Sequence, residues 1–134
     1  MSGESPTSSA SRALVWVGRV ISVLPGLMLI LSAVMKFVKP VQVMEGMTKL
    51  GYPEGLAFGL GIVELTCTLI YLIPNTAVLG AILLTGYLGG AVASHVRVGD
   101  PFFGPLIPGV LVWVGLYLRD ERLRALVPFR RPRG

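Results

Sequence analysis

Four long apolar runs, almost free of charge, occupy most of this chain of 134 residues and leave it few ways to fold. They cover residues 13–37, 55–73 and 76–96, with a fourth from Pro101 to about Leu118. Lipid supplies no hydrogen bonds to backbone groups, so apolar residues concentrated in this way require helices or closed-barrel strands. Runs of about twenty residues select helices. Charged residues make up 14% of the sequence, against about 25% in soluble domains, and the mean hydropathy is +0.73. The expectation is all-α: one integral membrane four-helix bundle over residues 13–120.

The first run exceeds the roughly 30 Å hydrocarbon core at about 1.5 Å per residue. Arg19 interrupts it and Pro25-Gly26 softens it, so a tilt or kink that keeps Arg19 near one interface is expected. Lys36 can snorkel at the other end. Residues 38–54 form the longest connection. Val41, Met44, Met47 and Leu50 fall on one helical face and Gln42, Glu45 and Lys49 on the other. That pattern predicts a short amphipathic helix lying at the interface and ended by Gly51-Tyr52-Pro53. Pro74-Asn75 is a connection too short for anything but antiparallel neighbours. Asp100 is expected to cap the fourth helix, with Pro101 at its first position.

Residues 1–12, rich in Ser with one Gly and one Pro, read as a disordered tail, and residues 121–134 as a basic one. The net charge of +5 is concentrated at the C-terminus, where Arg119, Arg122, Arg124, Arg130, Arg131 and Arg133 are six of the twelve Lys and Arg residues. A basic segment directly after an apolar helix fits an orientation signal and an anchor on anionic lipid headgroups, not a nucleic-acid surface. With four spans both termini share a side. Arg12 and the six arginines outweigh Lys39, Lys49 and Arg97, which predicts cytoplasmic ends.

The second run contains Glu64. A carboxylate at mid-helix costs about 2.5–3.5 kcal/mol to insert unless it is paired or faces a polar cavity, so it is expected to face other helices. Counting from the end of its helix places it roughly 13 Å deep. The topology brings Lys36, His95, Arg97 and Asp100 to the same half of the bundle. Thr68 and Tyr71 follow Glu64 at i+4 and i+7, and Tyr87 shares a face with His95. Glu64 and His95 are the candidates for acid–base chemistry, and Lys36, Tyr87, Arg97, Thr68 and Tyr71 for ligand contacts. The plainer alternatives are a Glu64 ion pair that fixes helix register, a snorkelling Lys36, and His95 and Arg97 contacting headgroups. The spacings Gly55/Gly59 and Gly86/Gly90 suit close helix approach.

Other chemistries find little support. The single Cys67 forms no internal disulfide or CxxC pair and reads as apolar filler. One histidine and no cysteine pair leave only oxygen ligands, with no second carboxylate on the Glu64 face, so no metal site is expected. His95 as a haem ligand lacks a supporting motif. Phosphate loops, serine triads and zinc motifs are absent.

Taken in order, Ser32-Ala-Val-Met-Lys36-Phe, Gly51-Tyr52-Pro53, Leu60-Gly-Ile-Val-Glu64-Leu65 and Gly86-Tyr87 through His95-Val-Arg97-Val-Gly-Asp100-Pro101 resemble the DoxX-like family of small four-helix membrane proteins. The resemblance covers roughly residues 13–120. It implies a bacterial cytoplasmic membrane protein, with relatives that are subunits of thiosulfate:quinone oxidoreductase, partners of superoxide-detoxifying or thiol-handling enzymes, or receptor-assembly factors. Lys36, Glu64, His95 and Arg97 are the family-like polar positions. Such a spread of roles leaves function to the site. The leading expectation is a membrane subunit or redox accessory protein, with redox-enzyme partners, holding a quinone or similar lipophilic molecule in a polar pocket. The alternatives are a non-catalytic assembly scaffold, a small transporter that needs to form a homo-oligomer, or an acid–base isomerase using Glu64.

Overall fold

The computed structural model describes residues 7–130. Residues 1–6 and 131–134, which hold parts of both expected tails, lie outside the described residues. Every regular element described is helical: α1 (Thr7–Val38), α2 (Val41–Lys49), α3 (Leu56–Leu72), a 3-10 turn at Pro74–Thr76, α4 (Ala77–Arg97), α5 (Phe103–Arg119) and α6 (Glu121–Leu126). The long helices pack in a ring, α1 against α3, α3 against α4, α4 against α5, and α5 back against α1. The helices α1 and α4 are long and apolar enough to cross a membrane, whereas α3 and α5 are shorter apolar helices of 17 residues.

Three boundaries differ from those expected. The helix α1 begins at Thr7, not near residue 13, so residues 7–12 of the expected disordered tail are helical. No glycine or proline stands between Thr7 and Arg12, and a helix nucleated in the apolar run propagates back at little cost. The segment after residue 120 is not simply a tail, because Asp120 caps α6 by accepting from the Arg122 N–H at 3.0 Å. Arg124 in turn donates to the carbonyls of Tyr117 and Leu118 at 2.8 and 2.7 Å, satisfying the last turn of α5. At the other end of α5, Asp100 does not cap. The helix begins at Phe103 with Phe102 at the cap position and no side-chain cap, so Asp100 stands two residues too early to cap it, and its carboxylate pairs with Lys49 at 2.6 Å.

The distribution of polarity is the reverse of a water-soluble bundle. Trp16, Val20, Leu27 and Leu31 on α1 are exposed, while Ser22, Glu64 and Thr68 are buried. Apolar side chains outward and a charged one inward suit a hydrocarbon surround.

The two ends of the ring are packed differently. At the end where α1 begins and α5 ends, small residues bring the backbones close. A Cβ on Gly115 would strike Ser22 of α1, and one on Gly80 would strike the backbone of Tyr71. Tyr71, Leu84, Val112 and Leu116 form a fully buried core beside these contacts. The opposite end is hollow, and α2 lies across it.

Two helix ends of the same design position that cover. After α2, Gly51 has φ +84°. Its N–H bonds to the Thr48 carbonyl at 3.0 Å and the Tyr52 N–H to the Met47 carbonyl at 2.9 Å, a Schellman motif. After α4, Gly99 has φ +72°, its N–H bonds to the Val96 carbonyl at 3.1 Å, and the Asp100 N–H bonds to the His95 carbonyl at 2.9 Å. Glycine alone adopts such φ values without strain. Each motif turns the chain sharply, presenting Tyr52 at the end of α2 and Asp100 at the end of α4.

Candidate functional site

Glu64 is 1% exposed and faces the interior of the ring. Lys36 at the end of α1 brings Nζ to 2.7 Å from its Oε2, and the same ammonium donates to Ser32 Oγ, one turn back, at 2.9 Å. The i,i+4 bond holds the lysine stem along α1 and directs its head inward instead of out to a headgroup. The Tyr87 hydroxyl of α4 donates to the same Oε2 at 3.1 Å. Three helices thus converge on one oxygen.

These groups line a cavity of about 510 Å³, within the range of small-molecule sites. Its walls are mostly apolar, with Met28, Leu29, Leu60, Leu88, Pro105 and Pro108 among them, and Met47, Leu50 and Tyr52 form the cover. Gly86 and Gly90 belong to its α4 wall, and a Cβ on either would meet no atom within 4 Å. This glycine pair was expected to bring helices together. It does the opposite: the missing side chains leave the space open. A Cβ on Gly55 or Gly59 would likewise meet no atom within 4 Å.

The polar rim lies at the α2 side. His95 lines the cavity and its Nδ1 sits 2.7 Å from the Ala91 carbonyl, which can only accept, so Nδ1 carries the hydrogen. Its Nε2 lies 3.9 Å from Asp100 Oδ2. The hydroxyls of Tyr52 and Ser94 are hydrogen-bonded to one another across the cover, and Ser94 also donates to the Gly90 carbonyl at 2.9 Å.

Of the seven expected site residues, four meet the cavity: Glu64, His95, Lys36 and Tyr87. Three do not. Thr68 is fully buried and donates to the Glu64 backbone carbonyl at 2.7 Å, stabilising the helix that carries the acid without touching the carboxylate. Tyr71 donates to the Val112 carbonyl at 2.8 Å, with the Arg119 guanidinium over its ring at 5.3 Å, which places it in the packed end. Arg97 is exposed and donates to the Leu50 carbonyl, capping α2 from outside. The sequence reading passed over Ser32, Tyr52 and Ser94. Ser94 lies at i+7 from Tyr87, which marks the same helix face. Tyr52 gives no such signal, because nothing local in the sequence shows that its loop folds back over the ring.

No group of three or more His, Cys, Asp or Glu side chains among the described residues forms a cation cage. Within that set the site offers hydrogen bonds and charge.

A search of curated proteins and one of solved structures gave no match. The family model described as the DoxX-like family matches residues 20–117. That span carries Lys36, Glu64, Tyr87 and His95 and the larger part of every helix of the ring, and on it the chain belongs to the DoxX-like family of membrane proteins.

Proposed function

We propose that this protein is a four-span bundle of the bacterial cytoplasmic membrane with both termini in the cytoplasm. Its intramembrane cavity holds a quinone or a similar lipophilic molecule, and it serves a redox enzyme as a membrane subunit or accessory. The observation that carries this reading is the convergence of Lys36, Tyr87 and Glu64 at the wall of an apolar cavity of about 510 Å³. An apolar chamber with a few fixed polar groups binds by apolar burial and selects by hydrogen bonding. The Lys36–Glu64 pair carries no net charge, so a neutral occupant meets no electrostatic penalty. Organic extraction of protein purified in mild detergent, with mass analysis of the extract, tests the reading. A lipophilic molecule in stoichiometric amount is expected from the native protein and not from a Gly90→Leu variant. An empty native extract, with no binding of added quinone analogue, overturns it.

One observation favours a second reading, a non-catalytic scaffold. Glu64 joins α1, α3 and α4 through a single oxygen, an arrangement that fixes helix register whether or not anything binds. In that case Gly90→Leu leaves partner capture intact, whereas Glu64→Gln weakens it.

A further inference from the structure

We infer that the occupant of the cavity presents a neutral hydroxyl, an alcohol or phenol O–H on an apolar body, to the Lys36–Glu64 pair. The inference rests on the pocket reading above and narrows the chemical class of the ligand. Both hydrogen bonds to the carboxylate fall on Oε2. Oε1 receives none among the described residues. Nor is it one of the buried side-chain polar atoms without a partner among the described residues, which are Ser22 Oγ and Arg119 Nε and Nη2, at the other end of the ring. With Glu64 lining the cavity, we take Oε1 to be the carboxylate oxygen left for an occupant. In the ion pair the carboxylate is acceptor-only, and Lys36 has three N–H bonds of which Ser32 and Glu64 take two.

The site thus offers an acceptor and a donor side by side. A hydroxyl satisfies both, donating to Oε1 while its oxygen accepts from Lys36. A ketone or ether satisfies only the ammonium and sets its lone pairs against those of Oε1, which then stays desolvated without a donor. A carboxylic acid or amine adds a charge to a pair already balanced. The opposite wall adds another acceptor. Pro108 has no N–H to return to Gly104, so the Gly104 carbonyl lacks its i+4 donor where both residues border the cavity. For a quinone-type occupant the same argument selects the dihydroxy form over the dicarbonyl.

The test uses the full chain in lipid nanodiscs and three probes with one tail: radiolabelled 4-octylphenol, its methyl ether, and the matching aryl ketone. Competition against the labelled phenol, corrected for each probe's partitioning into empty nanodiscs, gives relative affinities. The ether and ketone are expected to bind at least about tenfold more weakly than the phenol. Glu64→Gln, which places an amide N–H beside the remaining acceptor, is expected to bring phenol and ketone within about threefold of each other. Equal binding of all three probes, abolished by Gly90→Leu, overturns the hydroxyl preference and leaves the pocket reading standing. Phenol uptake that Gly90→Leu does not change, or no specific uptake at all, overturns the pocket reading itself.

Discussion

Lys36 Nζ and Glu64 Oε2 lie 2.7 Å apart across the α1–α3 interface, with the carboxylate almost wholly buried and the lysine side chain only 17% exposed. Removing one partner strands the other charge away from water. Lys36→Met is therefore expected to destabilise the bundle by about 3 kcal/mol or more. The double variant Lys36→Met/Glu64→Gln, which leaves no charge stranded, is expected to recover part of that loss. Thermal unfolding in one detergent across the double-mutant cycle checks this, and simple additivity of the two single variants would refute it.

Two tyrosines at opposite ends of the ring have different tasks. Tyr87→Phe removes a donor to Glu64 at the cavity and is expected to weaken ligand retention several-fold with a small stability cost. Tyr71→Phe removes the bond to the Val112 carbonyl in the packed end and is expected to cost about 1 kcal/mol of stability while leaving ligand retention unchanged. Paired melting and ligand-retention measurements separate the two, and matching profiles would contradict the assignment.

Alanine at three glycines of this chain is expected to act in opposite directions. Gly86→Ala places a methyl into open space and improves helix propensity, a gain of up to about 1 kcal/mol. Gly80→Ala drives the same methyl into the backbone of Tyr71, and Gly51→Ala strains a residue at φ +84° by about 1–2 kcal/mol. A stability series that ranks all three alike would show that the ends of the ring are not packed as described.

Arg97 caps α2 from α4 through the Leu50 carbonyl. Arg97→Ala is expected to loosen the cover, raising amide exchange across residues 41–52 about fivefold, which corresponds to about 1 kcal/mol of local opening. Exchange in the middle of α3 should stay unchanged. Uniform acceleration over the whole chain would instead indicate global destabilisation.

The gathering of Lys36, Glu64 and His95 in one half of the ring was legible in the sequence alone, because antiparallel helices joined by short turns fix which ends adjoin. Helix positions, the reversal of polarity and the amphipathic character of the 41–49 segment were legible for the same kind of reason: they depend on local period and on the solvent. Spacing along one helix also correctly put Thr68 and Tyr71 on the face of Glu64. It could not say what that face meets at each height.

What the sequence determined by itself was an all-helical chain suited to lipid with one acid turned inward, since backbone hydrogen bonding and the cost of charge in hydrocarbon act on each segment alone. Tertiary structure decided that Tyr87 and not Tyr71 reaches that acid, that Gly86 and Gly90 open a chamber where they were expected to close a helix contact, and that Asp100 serves Lys49 in place of a cap. Those outcomes depend on which side chains of different helices compete for the same volume and the same hydrogen bonds. Such competition exists only once the ring has closed.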